Sequence, residues 1–271
     1  MRKDLNQTAA KMLEVLQILC CAVYARSARG GGRTLGSAPA FTLAEVLVTL
    51  GIIGVVSAMT VPALMQNHQR KTYVTQLHKV YNELQQAALL YQTDKNAVNL
   101  REAGLKNQDE AVNFIRKYFK VVRECGHDVV PCFPVSVYKK LDGTTYPFNA
   151  PQNNLETYVL ANGASIGLDT VTNSNSYIVI SLMVDINGSK GPNIVGRDFF
   201  GMYLYDNGVI DDYSVKDGDA EGGIAITDNI PAPLDRETRE DNFNRACNSS
   251  RPTWGHGCFG KILNDNWKMT Y

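Results

Sequence analysis

The chain has 271 residues, room for one or two domains with a sizeable buried core. Lys and Arg together number 27 and Asp and Glu 27, so the formal net charge is zero, which argues against a protein that neutralises nucleic-acid phosphates along a basic face. With 44% apolar and 20% charged residues, the composition also excludes wholesale disorder and collagen-like architecture.

Residues 1–40 carry six basic side chains (Arg2, Lys3, Lys11, Arg26, Arg29, Arg33) against two acidic ones (Asp4, Glu14) and close on the small-residue run Gly36-Ser-Ala-Pro-Ala40. This is the composition of a targeting leader and is set apart from the fold. Its removal leaves a chain of net charge −4, a mildly acidic exported domain.

From Val46 to Gln69 no side chain is formally charged, and Phe41 to Leu64 carries Glu45 alone. At about 1.5 Å per residue this run gives roughly 36 Å of helix, enough to cross a hydrocarbon core of about 30 Å. The pattern predicts a membrane-spanning half of a helix over 41–65. A carboxylate at Glu45, inside that run, costs on the order of 2.5–3.5 kcal/mol. The span holds no Lys or Arg to pair with it, so the nearest cation is the α-amino group that a cut before Phe41 would create.

Beyond Pro62 polarity rises while helical spacing persists. Val74, Leu77, Tyr81, Leu84, Ala88 and Tyr91 recur at intervals of three and four, an amphipathic stripe that predicts a second helix half over 66–92. Residues 93–271 then form the globular domain. A helix is predicted from Asn107, with Glu110 three residues later as a capping box, presenting Val112, Ile115, Phe119 and Val122. Strand patterns follow: Thr157–Ala161 and Ala164–Leu168 around an Asn162-Gly163 two-residue turn, then Ser176–Val184, then Phe199–Tyr205 turning at Asn207-Gly208. A long helix followed by an antiparallel sheet is an α+β fold.

Four cysteines lie outside the leader, in two locally spaced pairs. An even number in an exported chain predicts disulfides Cys125–Cys132 and Cys247–Cys258, with the C-terminal side outside the cytoplasm. Zinc on these cysteines with His127 and His256 is the competing reading. No GxSxG, HExxH or Walker-type loop is present, so enzyme signatures are missing.

The stretch Phe41-Thr-Leu-Ala-Glu45-Val-Leu-Val-Thr-Leu-Gly-Ile-Ile-Gly54, with Pro62 later in the same helix, resembles the N-terminus of type IV prepilins and type II secretion pseudopilins. The resemblance covers about 25 residues. It implies a pilin-like fold and a membrane peptidase that cuts between Ala40 and Phe41 and methylates the new amine. It further implies a Glu45 that pairs with a neighbouring subunit's N-terminus, and a helix kink at Pro62. The family places Gly before the cut where this chain has Ala40, and its leaders are shorter. Implied partners are copies of the chain, other pilin-like subunits, the prepilin peptidase and an inner-membrane assembly platform. The implied location is the bacterial inner membrane, single-pass with an exoplasmic domain, then an extracytoplasmic filament. Small residues Gly51, Gly54 and Ala58 would let neighbouring helices approach. A signal-anchored exoplasmic enzyme or ligand-binding protein is the alternative, and it gives no reason for Glu45.

Two loops remain. Asp185-Ile-Asn-Gly-Ser-Lys-Gly-Pro-Asn-Ile-Val-Gly-Arg-Asp198 resembles a connection common in pseudopilin-like proteins and reads as a glycine-rich turn; Asp185, Asn187 and Asp198 are its potential cation donors. Asp217, Asp219, Glu221 and Asp228, arranged around Gly222, offer hard oxygens suited to calcium, which secretion pseudopilins bind in a C-terminal loop. A solvated acidic loop is the plainer reading.

Overall fold

The computed structural model describes residues 42–134, 137–148, 155–171, 175–217, 224–227, 229–248 and 255–271. It divides into two compact units, one ending at His68 and the other running from Gln69 to Tyr271.

The first unit contains the start of helix α1 (Leu43–Lys95). Thr42 opens the helix, its carbonyl accepting from the Val46 N–H at 3.2 Å. Pro62 lies inside α1 and brings no N–H, so the Ala58 carbonyl has no main-chain donor one turn on. Between Leu43 and Met65 most of the large apolar side chains are exposed, Leu43 at 78% and Leu64 at 71%, with Val48 and Val55 partly covered. This is a helix long and apolar enough to cross a membrane, and none of its most apolar 18-residue window is buried.

In the second unit the same helix buries Val74, Leu77, Val80, Leu84, Ala87, Ala88 and Tyr91, a stripe broader than the predicted one by Val80 and Ala87. Tyr81 is half-buried against that core. The helix ends three residues later than predicted, at Lys95. Asn96 takes φ +48°, and the Ala97 N–H reaches back to the Gln92 carbonyl at 3.0 Å, a Schellman closure in which Asn stands where Gly is usual.

Helix α2 (Gln108–Tyr118) starts on Asn107, whose side chain accepts from the Glu110 N–H, as its sequence predicts. Its buried face is Ala111, Phe114 and Ile115, not Val112. The chain turns extended at Phe119, so Val122 is not on a helix at all. It is 70% exposed on strand β1 (Val121–Gly126), which also carries Cys125.

The main sheet has six antiparallel strands in the order β1-β4-β5-β6-β7-β8, where β4 is Glu156–Leu160, β5 Ser165–Thr170, β6 Ile178–Asp185, β7 Phe199–Tyr205 and β8 Ile210–Asp211. Two small hairpins accompany it, β2 (Val137–Lys139) with β3 (Thr145–Pro147) and β9 (Ser214–Asp217) with β10 (Ile224–Thr227). The α+β layout stands. The β4–β5 connection differs from the predicted two-residue turn. Leu160 and Ala164 pair across three residues, and Gly163 at φ +90° supplies the left-handed third position that such a loop requires. The β7–β8 connection repeats it with Gly208 at φ +83°.

The C-terminal segment adds two seven-residue helices, α3 (Arg236–Asn242), continued by a π-helical turn over Phe243–Cys247, and α4 (Cys258–Asn264). Long-range polar bonds hold it to the sheet. Asp211, fully buried, takes Arg239 bidentately at 2.6 and 2.9 Å and also accepts from the Leu234 N–H. Asp212 accepts from the Gly257 and Gly260 N–H groups at the start of α4.

Both cysteine pairs are bonded as expected, Cys125 with Cys132 and Cys247 with Cys258. Gly196 packs directly on the second bridge: a Cβ there would lie 2.8 Å from the Cys258 Sγ, and its φ is +82°. Gly196→Ala should therefore lower stability by about 2 kcal/mol or more, from backbone strain and displacement of the bridge together. Urea unfolding of the oxidised protein measures it; an unchanged midpoint would show that the bridge yields freely.

Candidate functional site

Glu45 lies in the first turn of α1, where the apolar surface begins. Its Oε2 accepts from the Thr42 N–H at 2.8 Å and from the Thr42 hydroxyl at 2.9 Å, while that hydroxyl accepts from the Glu45 N–H at 3.2 Å. This is a reciprocal capping box, and it gives the carboxylate a local partner that charge counting along the span does not reveal. Both bonds fall on one oxygen; among the described residues Oε1 takes none. Ala40 and Phe41, the expected cleavage pair, lie outside the described residues. Pro62 is exposed on the same helix, as are Gly51, Gly54 and Ala58.

The loop after β6 is built by its two aspartates. Asp185 Oδ1 accepts from the Asn187 and Gly188 N–H groups at 3.2 and 2.9 Å, and Oδ2 takes the buried Tyr138 hydroxyl at 2.7 Å. Asp198 accepts from the Asn193 and Ile194 N–H groups at 2.8 and 2.6 Å and from the Asn187 amide at 3.3 Å. Backbone donors thus occupy the carboxylates that cation chemistry would need, and the glycine-rich turn is what they organise. Burial pushes the Asp185 carboxyl up to about 7, partly opposed by the Tyr138 hydrogen bond and reinforced by Asp198 nearby.

Of the acidic-loop residues, Asp219, Glu221, Gly222 and Asp228 lie outside the described residues. Asp217 ends β9 opposite Ile224 on β10, a backbone register that brings together the two ends of segment 218–223. Among the described residues no group of three or more His, Cys, Asp or Glu side chains is placed to hold a metal. The disulfides remove the four thiolates that a zinc site would use.

The two histidines of that zinc reading sit apart in role. His127 bonds the Leu155 carbonyl through Nδ1 at 2.9 Å and approaches Glu156 at 3.7 Å. His256 is 3% exposed, its Nδ1 bonded to the Tyr203 hydroxyl and its ring packed beside Tyr203 and Tyr213. Burial pulls its pKa down to about 3, and Nε2 has no partner among the described residues. No local spacing in the sequence announces this Tyr–His pair, because its members are 53 residues apart.

No protein-family model, curated protein or solved structure matches the chain.

The buried titrating groups give a signed expectation. Asp185 has its folded pKa raised from 3.8, so its contribution is fully present below about pH 4 and is lost as pH rises through 7. His256 runs the other way: with its pKa lowered from 6.5, its contribution is present above that value and is lost as pH falls toward 3. Asp185→Asn should therefore gain on the wild type by on the order of 3 kcal/mol between about pH 4 and pH 7. Paired urea titrations across that range check it, and a constant difference between the two proteins would show that Asp185 stays ionised in the fold.

Proposed function

We propose that this chain is a subunit of a type IV pilus-like or type II secretion pseudopilus filament, held in the membrane by α1 and cut before Phe41 for assembly. One observation carries the reading: the start of α1 is an exposed apolar helix whose single charge, Glu45, sits at its head with one carboxylate oxygen that takes no hydrogen bond among the described residues. A simple tether needs the apolar length and uses Glu45 only as the helix cap, which leaves its second oxygen without a task. In a stack of such helices, Oε1 of Glu45 is open to the α-amino group of a neighbouring, processed subunit, and the Thr42 cap fixes the carboxylate's direction.

The packing surface is equally suited to the task. Gly51 and Gly54 have nothing within 4 Å of where a Cβ would be, which leaves a shallow strip against which a second helix can lie close. The α+β domain beyond Gln69 would then be carried on the outside of the stack.

Two measurements test the reading. With the cognate prepilin peptidase present, mass spectrometry of the mature protein should find Phe41 as the first residue, and an intact leader as the sole product would sink the mechanism. The second separates charge from cap. Glu45→Gln keeps an acceptor for Thr42 and removes the charge, whereas Glu45→Ala removes both. Both variants should reach the membrane at least as well as wild type, and both should lose filament assembly by tenfold or more, a change of at least about 1.4 kcal/mol. Normal filaments from Glu45→Gln would reduce Glu45 to a helix cap.

A further inference from the structure

Within the second unit a groove of about 420 Å³ opens between α1, the end of α2 and the β4–β5 turn, a volume in the range of built binding sites. Its floor is apolar: Ala87, Phe119 and Leu160 are buried, and Leu90 beside them is 51% exposed. Lys79 on α1 and Lys120, the residue before β1, line it as well and are exposed. Among the described residues neither ammonium has a hydrogen bond or an ion pair. Glu83, the carboxylate in the lining, is engaged by the Asn162 amide at 2.8 Å. An apolar trough with two such cations fits an apolar tip that carries a carboxylate at its side.

The chain has a tip of that kind at the far end of the same strand pair. β1 and β4 run from the pair Val121 and Leu160, at the groove, to the pair Gly126 and Thr157, five residues or roughly 17 Å away. Past Gly126 the Cys125–Cys132 bridge closes a loop that presents Asp128-Val-Val-Pro131, with Val130 52% exposed. Hydrogen bonds fix its frame. The Asp128 N–H donates to the Cys125 carbonyl at 3.2 Å, the Thr157 hydroxyl to the Asp128 carbonyl at 2.5 Å, and the Phe133 N–H to the Val129 carbonyl at 2.7 Å. The Asp128 side chain is exposed, and its carboxylate has no hydrogen bond or ion pair among the described residues. A knob held this firmly gives up little conformational freedom on docking.

We propose that the Asp128–Pro131 knob of one copy seats in this groove on the next, Val130 against the floor at Ala87 and Leu90 and Asp128 facing Lys79 and Lys120. Knob and groove are different surfaces, so the contact is heterologous, and its repetition builds an open row of subunits. The inference deepens the filament reading and rests on it for its setting, while every residue of the contact belongs to the unit from Gln69 to Tyr271. A contact this small is weak alone, and subunits already gathered by their α1 helices would meet at high effective concentration.

The test uses full-length chain in detergent micelles, mixed from equal parts of unlabelled and heavy-isotope-labelled protein and treated with a carbodiimide. That reagent joins a carboxylate to an amine in contact, with loss of water. Peptide mass spectrometry should find Asp128 joined to Lys79 or Lys120 across light and heavy copies, in a yield that falls with added salt. The yield should drop about tenfold in Val130→Asp and in Leu90→Asp, and Leu90→Met, which keeps the floor apolar, should retain it. Both Asp variants replace exposed side chains, so their unfolding midpoints should stay at the wild-type value. Mixed together, they supply one intact knob and one intact groove, and the link should return in dimers that do not extend. No link, a link confined to single copies, wild-type yield in both Asp variants, or longer species from their mixture would each overturn the contact. The filament reading fails separately. A link in protein that is never cut before Phe41 would keep the contact and remove the filament, whereas normal filaments from Val130→Asp and Leu90→Asp would keep the filament and remove the contact.

Discussion

From Val46 to Gln69 the chain has no formal charge, and in that stretch most of its apolar side chains stand exposed. Each large aliphatic group left in water forgoes roughly 1.5–3 kcal/mol relative to burial, so a surface of this extent has to be covered by lipid or by other helices. That requirement ranks the remaining features. The cap at Thr42 and Glu45 decides what chemistry the covered helix presents at its head, and the change of character after Pro62 decides where the chain's own core takes over.

That takeover happens on one helix. Up to Met65 most large side chains of α1 are exposed; from Val74 one buried stripe lies in an apolar cluster with the sheet and the C-terminal helices, while Leu89 and Leu90 stay exposed. No break in secondary structure marks the boundary, since α1 runs unbroken to Lys95. The period of the apolar residues marks it instead, passing from all-round to a three-four stripe. The polar bonds that finish the domain are made at Asp185, Asp198, Asp211 and Asp212, where side-chain carboxylates take the backbone N–H groups that the sheet and short helices leave over.

The parts legible in the sequence are those written in local pattern. The apolar run, the stripe from Val74 to Tyr91, the Asn107 cap, the β6 and β7 strands and the pairing of neighbouring cysteines each depend on residues a few places apart. What was not legible depends on distant partners. Helices α3 and α4 have only seven residues each, too short to form on propensity, and they stand because Asp211 and Asp212 reach across 28 to 48 residues to Arg239, Gly257 and Gly260. Strand β1 looked helical because Val122 continued the spacing of α2, although its side chain ends up facing solvent. At Glu45, counting charges along the span missed that a hydroxyl and an amide three residues back can satisfy a carboxylate.

The two disulfides close loops of sequence separation 7 and 11, and neither is bonded to a residue of α1. A pull on the N-terminal helix, of the kind that draws a subunit out of a bilayer, thus meets no covalent strap between that helix and the sheet. Short of the main-chain link after Lys95, tension entering α1 leaves it through side-chain packing, chiefly the row from Val74 to Tyr91. Contacts arranged in a row and loaded lengthwise resist together, in shear, instead of parting one at a time like a zip. The mechanical strength of the domain is accordingly vested in a length of apolar packing, and reducing agents that open both bridges would leave that path intact.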